Sequence, residues 1–385
     1  MLTQHVPLVN HDATQAERRD SSSDNALLSA TLWLMGFEHE FSAPCVVRLS
    51  AFIRHHGVAG LLDQARADAL GIGYSAPLML ERRAIALRAL SLGATLRRLT
   101  LALAACGLQP LALKGPALAL QAHGQLCARG GVDLDILLGE DQWPEALRVF
   151  NEQGYSVAAG QQLPLPKAHH ELVLTHAGGL PRVELHRRLL RNQYLLPAEI
   201  CMTQQVDLQG VSLSTLAPIH ALPYLIAHAS QHSFRKLVWL LDIHALLQRA
   251  DLDAEQLAAE IRRTGTRAML DACLTLLSVL FGTQVAAPLQ HARRPCRASR
   301  AMVQAALDGL REALTDDQVA TRQGIFKRML IDIAMQDSVL AKWHALKGWL
   351  SPTTKDSGWV ILPQKLSFLY PIIRLARLVT RQFKK

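Results

Sequence analysis

The sequence predicts an α+β protein: a small mixed sheet with helices, set between an N-terminal helical unit and a larger C-terminal one. Three observations predict it. Leu and Ala dominate and aromatics make up 5% of the 385 residues, which favours helix. Helical periodicity fills residues 25–106 and 197–350. Between them, residues 107–196 carry short apolar runs separated by turns, with one well-formed amphipathic helix.

With 50% hydrophobic and 19% charged residues, the chain is globular and has room for two or three packed units. Residues 1–24 read as a flexible polar tail. In the stretch 25–106 the clearest helix is Ala84–Leu103, where Leu87, Leu90, Leu92 and Leu99 recur among Ala and Arg. Arg82, Arg83, Arg88, Arg97 and Arg98 give it a basic face, read as solvated surface.

The pattern changes at Gly107. Leu111–Leu113 reads as a buried strand, and Lys114-Gly115-Pro116 turns into a helix over Ala117–Ala122, with Pro116 suited to a first helical position. Val132–Leu138 is a strand. Asp141–Gln153 is an amphipathic helix, with Trp143, Leu147 and Phe150 on one face and Gly154 as its stop. His170–Thr175 and Arg182–Leu189 are two further strands joined by Gly178-Gly179. From about Pro197 the chain reads as helical: Ile219–Gln231, Lys236–Arg249, Ala254–Arg263, Ala268–Phe281, Ser299–Leu314 and Gln323–Trp349. Residues 351–385 are an irregular connector and a basic amphipathic helix, Gln364–Lys385. Such a helix packs on its own domain, the favoured reading, or contacts an anionic membrane peripherally.

Composition bounds the function. The net charge of +9 suits an anionic partner such as a nucleotide, nucleic acid or acidic membrane. Nucleic acid is disfavoured, because no basic stripe with interleaved aromatics and no zinc module is present. The six cysteines form no C-x-x-C pair, which argues against a disulfide scaffold or structural zinc and for free thiols in a reducing cytosol. Apolar runs fall short of the ~20 residues of a membrane span, and no secretory leader is visible, so the expected location is cytoplasmic.

The chemistry concentrates between Leu111 and Leu189. Side chains alternate along a strand, so Asp133 and Asp135 share one face while Val132, Leu134 and Ile136 take the other. In Arg182-Val183-Glu184-Leu185-His186 the same alternation turns Glu184 and His186 outward. If the two strands are neighbours, three carboxylates gather. Such a set suits Mg²⁺, and two ions about 3.5–4 Å apart would activate an attacking oxygen and stabilise a leaving one. Gly115 lets the backbone approach a ligand, Lys114 adds a point charge and Arg129 a planar fork for phosphate. Arg187, beside the acidic strand, is a further candidate nucleotide contact.

The order strand, glycine turn, helix, D-x-D strand, acidic strand is that of the DNA polymerase β-like nucleotidyltransferase superfamily. The wording L-K-G-x-A-L-A, R-x-x-x-D-L-D-I-L-L and V-E-L-H-R-R-L more closely resembles the bacterial family of uncharacterised nucleotidyltransferases. H-A-S-Q-H and L-V-W-L-L-D-I within Leu222–Leu247 continue the likeness, which covers Leu111–Leu247. The resemblance implies a nucleotidyltransferase core. It makes Asp133, Asp135 and Glu184 the metal-binding catalytic acids, served by Mg²⁺ or Mn²⁺, and sets Lys114, Gly115 and Arg129 at a nucleoside triphosphate. The turn reads Lys-Gly where the superfamily often has Gly-Ser, so the usual serine contact to phosphate is missing. An NMP group would pass to an acceptor, with a small molecule or peptide natural product favoured. Phosphoryl or sugar transfer at the same site stays open, as does a non-catalytic nucleotide-binding or antitoxin-like protein.

His228 and His232, spaced i, i+4, share a helical face that Asp242 could meet from the next helix. They read as a structural network, a substrate contact or a separate metal site. His186 is a phosphate contact, a base or a hydrogen-bonded neighbour of the acids.

Overall fold

A computed structural model describes residues 15–42, 44–161, 163, 165, 169–351, 372–374 and 377. Four helices lead: α1 (Gln15–Leu34), α2 (Val46–His56), α3 (Gln64–Ala69) and α4 (Ala76–Ala105). The central stretch holds β1 (Leu111–Ala112), α5 (Gly115–His123), β2 (Asp133–Leu137), α6 (Trp143–Glu152), β3 (Tyr155–Val157), β4 (Glu171–His176), β5 (Arg182–His186), β6 (Thr203–Leu208) and β7 (Val211–Leu216). Helices then run from α7 (Pro218–Gln231), α8 (Leu237–Leu247), α9 (Ala254–Thr264) and α10 (Arg267–Phe281) to α11 (Ala287–Ala292) and α12 (Arg297–Arg311). The last are α13 (Asp316–Gln323), α14 (Ile325–Met335) and α15 (Val339–Leu350). The α+β expectation holds. Among the described residues no helix is long and apolar enough to cross a membrane.

Among the described residues the sheet has seven strands, in the order β3-β4-β5-β2-β1-β7-β6. β2–β5 and β1–β7 pair in parallel and the other neighbours antiparallel. One face is apolar: Leu134, Ile136, Leu172, Leu174, Val183 and Leu185 are buried there. They pack with Trp143 and Phe150 of α6 and Leu92, Leu96, Leu99 and Leu103 of α4. The front half of α4, through Leu78 and Ile85, joins the larger core of α1, α2 and α7–α12 instead. The long helix thus ties the two cores together. Its apolar stripe runs at helical spacing through Leu78, Ile85, Leu92, Leu96, Leu99 and Leu103. Leu87 and Leu90, read as part of that stripe, are exposed.

The structure corrects several boundaries. α1 begins at Gln15, inside the stretch read as a tail; residues 1–14 lie outside the described residues. The helical reading from residue 197 misses β6 and β7, which carry the sheet to Leu216. Their turn has Gln209 at φ 53° and Gly210 at φ 78°, the two left-handed residues of a type I′ hairpin, whose twist matches that of paired strands. β3 was also unforeseen. Gln323–Trp349 is two helices: Gln336–Ser338 interrupts it, and Ser338 Oγ accepts from the Ala341 N–H at 3.1 Å to start α15. The basic amphipathic helix of 364–385 falls outside the described residues except 372–374 and 377.

His56 fastens the N-terminal unit to the C-terminal helices. It is buried at the end of α2, its Nε2 donating to the Leu310 carbonyl (3.0 Å) and its Nδ1 accepting from the Leu237 N–H (3.3 Å). Both ring nitrogens are satisfied only in the neutral form. Burial, then His55 and Lys236, holds its pKa well below 6.5. As pH falls below 6.5 the unfolded chain takes up a proton that the folded chain refuses, so stability is lost. We expect this residue to remove up to about 1.4 kcal/mol per pH unit in that range. Urea unfolding at a series of pH values should show a shallower acid loss for His56→Gln than for the parent; parallel curves would contradict this.

Candidate active site

The parallel register of β2 on β5 sets Asp135 opposite Glu184 and Asp133 opposite Arg182. Strand alternation then puts Asp133, Asp135, Arg182, Glu184 and His186 on the face that does not enter the α4–α6 core. Val132, expected in the core, precedes β2 and is 65% exposed. The antiparallel register of β4 on β5 adds Glu171 opposite His186, with His170 just before it. Four carboxylates and two imidazoles therefore line one wall of a cleft of about 1360 Å³.

Their charges are unevenly matched. Asp135 is only 4% exposed. Lys114 Nζ lies 2.9 Å from its Oδ1, and His186 Nε2 lies 3.2 Å from the same atom. Burial alone would raise this carboxyl; Lys114 and His186 outweigh it and hold the pKa far down. Lys114 is raised in turn: burial alone would lower it, and Asp135, Tyr224 and Asp133 together outweigh burial. Arg182 bridges Asp133 (2.9 Å) and Glu184 (2.8 Å) from the partly open side. Glu184 remains short of positive charge: burial first, then Glu171, Asp133 and Asp135, pushes its pKa up to about 7.

Asp135, Glu184 and His186 offer ligand atoms within 4.8 Å of one another. Oxygen donors with unbalanced negative charge fit a hard divalent cation. The His186 Nδ1 is buried without a hydrogen-bond partner among the described residues, so this ring has capacity left. Sequence reasoning proposed Asp133, Asp135 and Glu184. The register brings Asp135 next to Glu184 and leaves Asp133 beside Arg182, one step along the strand.

At the β1–α5 bend Gly115 has φ 60°, a left-handed conformation that favours glycine, and a Cβ there would lie 3.6 Å from the Asp133 carbonyl oxygen. Lys114 lies against Asp135. Arg129 is buried, its Nε 3.0 Å from Asp242 Oδ2 and its guanidinium 3.5 Å from the Gly115 carbonyl. Asp242 Oδ1 also lies 2.9 Å from His123 Nε2, at the far end of α5. The pairing of Asp242 with His228 and His232 is therefore corrected: Asp242 pairs with α5 and the loop before β2. Trp239, a turn earlier on α8, meets the two histidines, its ring centroid 5.7 Å from His228 and 5.4 Å from His232. Those rings lie 4.9 Å apart and line the cleft with Tyr224. Burial, then Lys114, keeps His228 neutral by lowering its pKa.

Arg187 is also corrected. It follows His186, so alternation turns it away from the cleft, where it pairs with Glu140 (2.9 Å) and donates to the His169 carbonyl. Glu171 and Arg182 were not singled out by sequence, and His170, just before a strand, reads there as an incidental loop histidine. Arg182 shares the two-residue spacing of Glu184 and His186, a signal available in the sequence. Glu171 and His170 reach the site only through the pairing of β4 with β5.

A family model described as uncharacterised nucleotidyltransferase matches residues 46–282, from the start of α2 to Gly282, the cap that follows α10. The likeness read from motifs, Leu111–Leu247, lies inside that span. Among solved structures the chain is similar to an antigenic nucleotidyltransferase-like protein from Paracoccidioides brasiliensis. The identity is 15% and the TM-score 0.34, over 52% of this chain and 97% of that one. None of the curated proteins matches.

Removing Asp242 would leave the Arg129 guanidinium buried without its carboxylate. Asp242→Asn should therefore lower the unfolding free energy by about 3–5 kcal/mol. Urea denaturation measures it, and an unchanged midpoint would show that this ion pair does not brace the bend.

Proposed function

The chain belongs to the uncharacterised nucleotidyltransferase family, and from that premise we propose that it moves an NMP group from a Mg²⁺-bound nucleoside triphosphate to a small-molecule or peptide acceptor. One observation carries this reading. Asp135 and Glu184 stand side by side on neighbouring parallel strands, with Asp133 on the same face, in a large cleft beside the Gly115 bend.

Asp133, Asp135 and Glu184 are the residues we assign to the metal, with His186 adjoining them. Mg²⁺, when bound, would neutralise phosphate charge there. Lys114 and the Gly115 backbone are assigned to the triphosphate. Arg129, which also lines the cleft, braces the bend and is held by Asp242. An acceptor hydroxyl, phosphate or amine attacks the α-phosphorus in line. The new bond forms as the bond from that phosphorus to the bridging oxygen breaks, pyrophosphate carries the electron pair away, and the proton of an attacking hydroxyl or amine passes to solvent. The chain contributes chiefly by positioning and charge neutralisation. A cleft of about 1360 Å³ exceeds the needs of one nucleotide and leaves space for the acceptor between the sheet and the helices. A binding protein would gain nothing from crowding acids until one is raised to about 7. We assign the catalytic unit to residues 107–216, flanked by helical units on both sides.

Incubation with each of the four labelled triphosphates, candidate acceptors and Mg²⁺ should yield pyrophosphate and an acceptor heavier by one NMP. A product heavier by phosphate or sugar alone would point to the other transfers. Asp133→Ala and Asp135→Ala should each cut transfer by roughly 100-fold or more, with thermal melts confirming the fold. Undiminished transfer in both would reject the metal assignment. Chelation of Mg²⁺ should stop the reaction, and re-addition restore it.

A further inference from the structure

Beside the assigned carboxylates stands a group of different chemistry. His170 and Glu171 are consecutive at the start of β4, and Glu171 faces His186 across the β4–β5 pair. His170 Nε2 is 3.3 Å and His186 Nε2 3.9 Å from Glu171 Oε2, and each of the three residues offers a ligand atom within 4.8 Å of the others'. The two imidazoles sit 5.5 Å apart by ring centroid, edge to face, and all three residues line the cleft. His186 is buried, with its Nδ1 lacking a partner among the described residues.

We propose that His170, Glu171 and His186 form a second metal site, selective for a zinc-class divalent ion rather than Mg²⁺. Imidazole nitrogens favour zinc and its transition-metal neighbours, whereas Mg²⁺ favours oxygen. Two histidines and one glutamate leave a coordination position open, as in zinc sites that act on a ligand. Here that position opens on the cleft, within reach of an oxygen or nitrogen of a bound acceptor. His186 links the two sites: the Nε2 that faces Glu171 also lies 3.2 Å from Asp135 Oδ1, a contact that gives way when this nitrogen takes a metal. This inference goes beyond nucleotidyl transfer and does not require it.

The test uses the full chain, stripped of metal by chelation and then held in excess Mg²⁺. Co²⁺ titration should produce visible d–d absorption that saturates at one equivalent and is bleached by Zn²⁺. His170→Ala and Glu171→Gln should each weaken Co²⁺ binding by roughly tenfold or more, while Asp133→Asn retains it. Melting curves identify a variant that has lost its fold, and the other then decides. Three results would overturn the proposal: no Co²⁺ uptake in excess Mg²⁺, parental affinity in the folded variants, or loss of the signal in Asp133→Asn. No nucleotide is present, so such a failure leaves the transferase reading standing.

Discussion

Parallel pairing of β2 with β5 puts Asp135 beside Glu184, and the other charges of the cleft are arranged around that juxtaposition. Two carboxylates side by side repel, and one of them is nearly buried. The fold meets this with Lys114 and His186 on Asp135 and with Arg182 between Asp133 and Glu184. The contacts of Lys114 and His186 with Asp135 are largely buried, and such pairs add little net stability, because desolvation consumes most of the Coulomb gain. Under the proposed function, these charges serve a polyanionic ligand and its cations rather than folding.

That arrangement requires a sheet with two unlike faces. α4 and α6 seal one face with leucines and aromatics. The other stays free for polar groups because the flanking helices close over it at a distance and leave a cleft. α8 braces this side. Trp239 packs against His228 and His232, and a turn later Asp242 pairs with Arg129 and His123. Arg129 reaches the Gly115 carbonyl, so the conformation of the bend depends on a carboxylate more than a hundred positions further along the chain.

Much of the fold is legible from local patterns. The alternation around Asp133 and Asp135 and around Glu184 and His186 predicts which side chains share a face, and the register agrees. The hairpin of β6 and β7 is harder to see, since Thr203, Gln205, Asp207 and Ser212 occupy its exposed positions and only Gln209-Gly210 marks the turn. The break between α14 and α15 depends on one serine cap within an otherwise helical pattern.

By itself, the sequence determined the glycine bend, the acidic strands and the helical flanks, because each follows from backbone geometry over a few adjacent residues. Only the tertiary structure decided that Glu171 and His170 join the site, that Arg187 leaves it and that Asp242 serves Arg129. Those outcomes depend on which strands pair and which helices meet. Burial of apolar surface between distant segments sets that choice, and no local spacing records it.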